Sequence, residues 1–164
     1  AAEFYRKCSP VYVLAENFDR GAEAMVKAAK IMADVDVNES VTLYKEALHV
    51  YESNERQAMM GDTWRFALGT MVKAEMYDEA IALCERLFPM FEKLDQRPYW
   101  HRACLSIIIF QLTLNDYPAA DRAFTEYCGS VDGFAMSEEG RSAELLMQAF
   151  DAGDPEEVLR LTSN

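Results

Sequence analysis

The sequence predicts an all-α chain of antiparallel helix hairpins, a TPR-like right-handed superhelix or solenoid, and three observations predict it. A hairpin pattern recurs every 40 residues: Val37-Asn38-Glu39-Ser40, Tyr77-Asp78-Glu79-Ala80 and Tyr117-Pro118-Ala119-Ala120 occupy equivalent places, each opening an amphipathic segment. The residues that follow stay in phase, with Leu43, Leu83 and Ala123 aligned, then Tyr44, Cys84 and Phe124, then Ala47, Leu87 and Tyr127. Composition agrees, because 51% of the residues are apolar while Gly (7) and Pro (5) are few, so the chain is expected to be ordered throughout. Self-similarity at this period implies stacked helix pairs, since no single pair buries its apolar face alone. Such stacks hold other proteins, so function is sought in surfaces before pockets.

Nine helices are expected. The first covers about 1–16, with Phe4, Tyr5, Cys8, Val11, Tyr12 and Ala15 on one stripe; Pro10 either kinks it or starts it afresh with Ser9 as cap. The second, about 19–33, carries Ala22, Ala24, Ala28 and Ala29, small enough for close neighbours. The third (about 38–53) opens at an Asn38 cap, and the fourth (about 56–75) carries Trp64, Phe66, Leu68, Met71 and Val72. The fifth (about 77–94) shows helical spacing through Ala80, Ile81, Cys84, Leu87 and Phe88, with Pro89 expected to bend it. The sixth (about 97–114) is apolar nearly all round, from Leu105 to Leu112, and is expected to be the most buried.

The seventh (about 117–130) starts at Asp116 with Pro118 in its first turn, and a loop over 130–136 follows Gly129. Ser137-Glu138-Glu139 reads as a capped helix start with acids at the positive helix end, and Asp154-Pro155-Glu156-Glu157 repeats that logic. Residues 1–164 are expected to form one helical-repeat domain. The missing initiating Met and the short last helix suggest a piece of a longer solenoid.

Chemistry is sparse. The longest apolar run, Leu105 to Leu114, falls short of a membrane span. Cys8, Cys84, Cys104 and Cys128 lack metal-ligand spacing and read as buried reduced thiols of a cytosolic protein. His49 and His101 stand alone on separate helices, and the glycines are dispersed, so no catalytic residue, metal or cofactor is expected. Trp64 reads as core; Trp100 reads equally as core or as a partner anchor.

The net charge of −12 disfavours nucleic acid, whose phosphates need concentrated bases. It is unevenly spread: residues 1–33 carry five bases against four acids, and residues 137–164 seven acids against two bases. The acidic end suits a basic protein surface, or is simply a solvated face.

Longer runs carry a resemblance. Leu114-Asn115-Asp116-Tyr117-Pro118-Ala119-Ala120-Asp121-Arg122, then Val131-Asp132-Gly133-Phe134, then Glu144-Leu145-Leu146 and Phe150-Asp151 resemble the soluble NSF-attachment proteins, their gamma form best. Asp36 to Tyr44, Tyr51-Glu52-Ser53-Asn54-Glu55 and Tyr77-Asp78-Glu79-Ala80 agree, so the resemblance covers essentially the whole chain. It implies a cytoplasmic, non-catalytic adaptor of vesicle transport that binds a SNARE four-helix bundle and recruits the N-domain of the hexameric ATPase NSF.

The acids implied for the ATPase are Asp151, Asp154, Glu156 and Glu157, with Glu138 and Glu139 as outliers. Where the alpha form clusters acids after its Leu-Leu pair, this chain reads Met147-Gln148-Ala149-Phe150, so part of that charge is missing. For the bundle, the even-numbered helices offer Lys27, Arg65, Lys73 and Arg102. Membrane contact is implied only peripherally, through N-terminal repeats that this chain lacks; the C-terminal tail that stimulates the ATPase is also absent. The alternative is a generic TPR-like scaffold for some peptide or coiled-coil partner.

Overall fold

The computed structural model describes residues 1–14, 16–54 and 60–162, and among them all regular structure is helical. The chain divides into two compact units, Ala1–Met76 and Tyr77–Asn164. The first holds α1 (Ala2–Leu14), α2 (Phe18–Met32), α3 (Val37–Ser53) and α4 (Met60–Lys73). The second holds α5 (Tyr77–Lys93), α6 (Arg97–Thr113), α7 (Tyr117–Ser130), a 3₁₀ turn (Phe134–Met136), α8 (Glu138–Asp151) and α9 (Pro155–Thr162).

In the first unit α2 packs against both α1 and α3, and α4 packs on α3. The small residues of α2 make this possible: Ala22, Ala28 and Ala29 are wholly buried, and the Ser40 hydroxyl of α3 reaches across to donate to the Ala29 carbonyl at 2.8 Å. Ser40 is the first repeat position; Ala80 and Ala120 hold the equivalent places and are also fully buried. A small residue there lets each hairpin close. The in-phase positions one turn later are buried too, apart from Phe124, which is half-buried. Tyr44 and Tyr51 bury their rings between α3 and α4, with Thr70 and Thr63 beside their hydroxyls.

Two expectations need correction. The cap of α3 is Asp36, whose carboxylate accepts from the Glu39 N–H at 3.0 Å, and Asn38 lies inside the helix. Starting there sets the register that brings Ser40 over Ala29. On α1, Tyr5, Cys8 and Tyr12 are half-buried and Ser9 is buried, while Phe4 and Val11 face solvent. The helix runs through Pro10 without restarting, so Ser9 is no cap. Ala15, and residues 56–59 of the expected fourth helix, lie outside the described residues.

In the second unit α6 is central, packed by α5, α7 and α8. Its buried residues (Trp100, His101, Ala103, Cys104, Ile107, Ile108, Phe110 and Leu112) go round the helix, as its all-round apolar sequence predicts. The shorter α4 also buries eight residues within its own unit, so α6 is not uniquely deep. Tyr77 packs on Phe110 with ring centroids 5.8 Å apart, and Tyr117 stacks on Phe150 at 5.9 Å.

Four of the turns share one construction. Glu75, Asp95, Asn115 and Gly153 take left-handed backbone conformations just past a helix end. The next residue then donates its N–H five residues back: Met76 to Met71 O (2.9 Å), Gln96 to Phe91 O (2.8 Å), Asp116 to Gln111 O (2.9 Å) and Asp154 to Ala149 O (3.0 Å). At Asp116 and Asp154 that same residue caps the following helix, accepting from Ala119 N and Glu157 N at 3.0 Å each. The Asn-Asp-Tyr-Pro-Ala-Ala run is therefore a hairpin written in residues: a left-handed position, a cap, a packing ring, a first-turn Pro and a close-approach Ala.

Glu75, at φ 56°, bears the Cβ strain that glycine would not. Glu75→Gly is expected to stabilise the first unit by about 0.5–1 kcal/mol, seen as a higher urea midpoint; an unchanged or lower midpoint would contradict the strain.

Candidate functional site

The first unit holds a cleft of about 540 Å³ between the end of α2, the start of α3 and one face of α4. Arg65, Phe66, Gly69, Thr70 and Lys73 line it from α4; these recur at helical spacing, so a single face of the helix supplies them. Lys30 of α2 and Asp34 of the turn that follows it face them. The Lys30 ammonium sits 3.7 Å from the centroid of the Phe66 ring, a cation–π contact beside a ring that is 40% exposed. Arg65 also meets Asp62 at 3.3 Å, both half-exposed, a pair too solvated to hold the guanidinium firmly. Nothing lies within 4 Å of where a Gly69 side chain would begin, so the cleft is open beside the Gly69 backbone.

The structure thus brings together two of the four bases proposed from sequence, Arg65 and Lys73. Lys27 lies elsewhere in the same unit, in a smaller cleft of about 220 Å³ between α1 and α2, bound to Glu23 at 2.8 Å. That hydrogen bond, with the charge of Glu23, raises its pKa above the usual lysine value. Arg102 belongs to the second unit, where it faces Glu139 at 3.7 Å. Sequence reasoning missed Lys30 and Phe66. Only the spacing of Phe66 with Arg65, Gly69 and Lys73 on one helical face hinted at them.

The acids at the other end divide by role. Asp154 caps α9, and Glu157 accepts two hydrogen bonds from Arg160, one at 2.7 Å, which holds its carboxyl below the ordinary glutamate value. Asp151 closes α8 and Glu156 lies in the first turn of α9; both are exposed, with no ion pair among the described residues. The charge of Asp151 contributes to raising the Tyr117 phenol, after desolvation.

The remaining polar residues serve packing. His101 is buried and its Nε2–H donates to the Asp132 carbonyl at 2.9 Å, with the ring edge-on to Phe134. Trp64 and Trp100 are both buried. Cys84 and Cys104 are buried and Cys8 and Cys128 half-buried; all four are free thiols. Among the described residues no three His, Cys, Asp or Glu side chains converge as metal ligands, and no helix is long and apolar enough to cross a membrane.

The family model described as soluble NSF attachment protein, SNAP, matches residues 1–161. A gamma-soluble NSF attachment protein of Arabidopsis thaliana is 32% identical over 99% of this chain and 55% of its own length. That of Dictyostelium discoideum is 31% identical over 90% of this chain and 45% of its own. The chain thus spans about half the length of the curated relatives it matches. A solved structure of nearly identical TPR-like repeats is also similar, at a TM-score of 0.48 and 10% identity over 98% of this chain and 91% of that one. With the family model running along nearly all of its residues, the chain belongs to the soluble NSF attachment protein family.

Proposed function

We propose that this chain works as a non-catalytic adaptor in membrane-fusion recycling, at the cytoplasmic face of membranes. It holds a SNARE four-helix bundle through Arg65 and Lys73, with Lys27 and Arg102 as outlying contacts. It recruits the N-domain of the hexameric ATPase NSF through Asp151, Asp154, Glu156 and Glu157. The observation that carries the reading is the family match over residues 1–161, a family named for attachment to NSF. The joint lining of one cleft by Lys30, Arg65 and Lys73 supports the bundle side, because so acidic a chain gathers few bases into one place.

The test is binding of the chain to the isolated N-domain across a salt series. The informative variant is Asp151→Lys with Glu156→Lys, since Asp154 and Glu157 also build α9 and their loss would confound folding with binding. Affinity is expected to fall with salt, and the variant to bind at least roughly tenfold more weakly, about 1.4 kcal/mol. Salt-insensitive binding, or a variant as tight as the parent, would remove the acidic end from the interface.

A further inference from the structure

Gly69 is the unexplained residue of the cleft. It stands inside α4 with a helical backbone, where glycine costs about 1 kcal/mol relative to alanine. No neighbour within 4 Å requires the side chain to be missing. The vacancy opens instead onto the cleft, between Arg65 one turn before it and Lys73 one turn after. At the helical rise the two bases are separated by about 12 Å along the axis. Phe66, covered by Lys30, forms an apolar wall beside the gap.

From this geometry we infer that the cleft receives one acidic α-helix, seating an apolar side chain on Gly69 and Phe66 and a carboxylate on each of Arg65 and Lys73. A helix lying along α4 meets this spacing with acids seven or eight residues apart, about 10–12 Å, and the apolar residue midway. Three bases with a single acid, Asp34, among the lining residues supply the charge complementarity. The inference rests on the adaptor reading for the source of that helix, the outside of the SNARE bundle, and makes Gly69, Phe66 and Lys30 its specificity determinants.

The experiment measures binding of a preassembled SNARE four-helix bundle to the parent chain, to Gly69→Leu and to Arg65→Glu/Lys73→Glu, with unstructured poly-glutamate as competitor. Gly69→Leu fills the seat with a strong helix former, so it is expected to melt higher than the parent yet bind the bundle at least tenfold more weakly. Poly-glutamate is expected to compete no better than salt of equal ionic strength. Binding by Gly69→Leu within twofold of the parent, alongside lost binding by the double charge reversal, overturns the inference and leaves the adaptor reading standing. Full displacement by poly-glutamate overturns it in favour of an extended acidic strand. A parent chain that ignores the bundle at low salt overturns both.

Discussion

Gly140→Ala is expected to destabilise the second unit by about 3 kcal/mol and to lower its melting temperature by roughly 12–24 °C. A Cβ at position 140 would overlap the carbonyl oxygen of Phe134 and lie 3.0 Å from its carbon and 3.3 Å from the Ala135 Cα. All three atoms are backbone, so no side-chain rotation relieves the clash. The carbonyl it meets is also engaged: it accepts from the Ser137 hydroxyl at 2.6 Å and from the Ser137 N–H at 2.9 Å. The Gly140 N–H in turn donates to that hydroxyl at 2.9 Å, capping α8. Relief therefore means pulling the 3₁₀ turn off the start of α8, at the cost of the cap and of the fully buried Phe134 ring, which sits edge-on to Tyr127 and His101. Thermal melting followed by circular dichroism, with hydrogen exchange to assign the transition, reads the result. A second unit melting within about 2 °C of the parent would show that the turn yields cheaply.

That knot also shows where sequence reading stops. Ser137 was legible as a cap, because a Ser before two acids and an apolar period has one good local solution. The demand for glycine at position 140 was not, because the atom it avoids belongs to the preceding 3₁₀ turn. His101 shows the same boundary: its isolation argued against catalysis, but its bond to Asp132 spans a loop whose path the sequence does not dictate. The choice of Asn38 over Asp36 went astray because both residue types cap helices, and the bond from Ser40 to Ala29 belongs to the packing of two helices.

Helix faces follow a similar logic. The 40-residue period placed Leu43, Leu83, Ala47 and Leu87 in the core, because a repeat reports which face its neighbours cover. The first helix has apolar residues on more than one side, so its pattern fixed Tyr5, Cys8 and Tyr12 but misplaced Phe4 and Val11. At the cleft, Arg65 and Lys73 were legible as bases on an even-numbered helix. Their convergence with Lys30 depends on how α2 and α4 meet across α3, and hydrophobic periodicity does not encode that.

Alkali should unfold the second unit before the first. Burial pushes the Cys104 thiol and the Tyr127 phenol well above their ordinary values, whereas in the unfolded chain they titrate near about 8.5 and 10. The folded unit keeps protons that the unfolded chain releases, so stability falls as pH rises: the full contribution is present below about pH 8.5 and is lost progressively above it. By pH 11 these two groups remove about 5 kcal/mol, a large share of the stability of a small domain. The first unit depends on Tyr51, pushed up to about 12, and on Tyr44, raised by the same desolvation. Both begin to matter only above about pH 10, where together they remove roughly 1.5–3 kcal/mol by pH 11. Between pH 9 and 10 the thiols of the second unit, Cys104 and the half-buried Cys128 that desolvation also raises, act ahead of the phenols, so Cys104→Ala should flatten the pH dependence of the second unit by about one proton in that window. Urea unfolding at stepped pH, with hydrogen exchange separating the two units, measures both effects. A first unit that fails earlier, or a slope unchanged in Cys104→Ala, would mean that the thiol ionises without unfolding its surroundings.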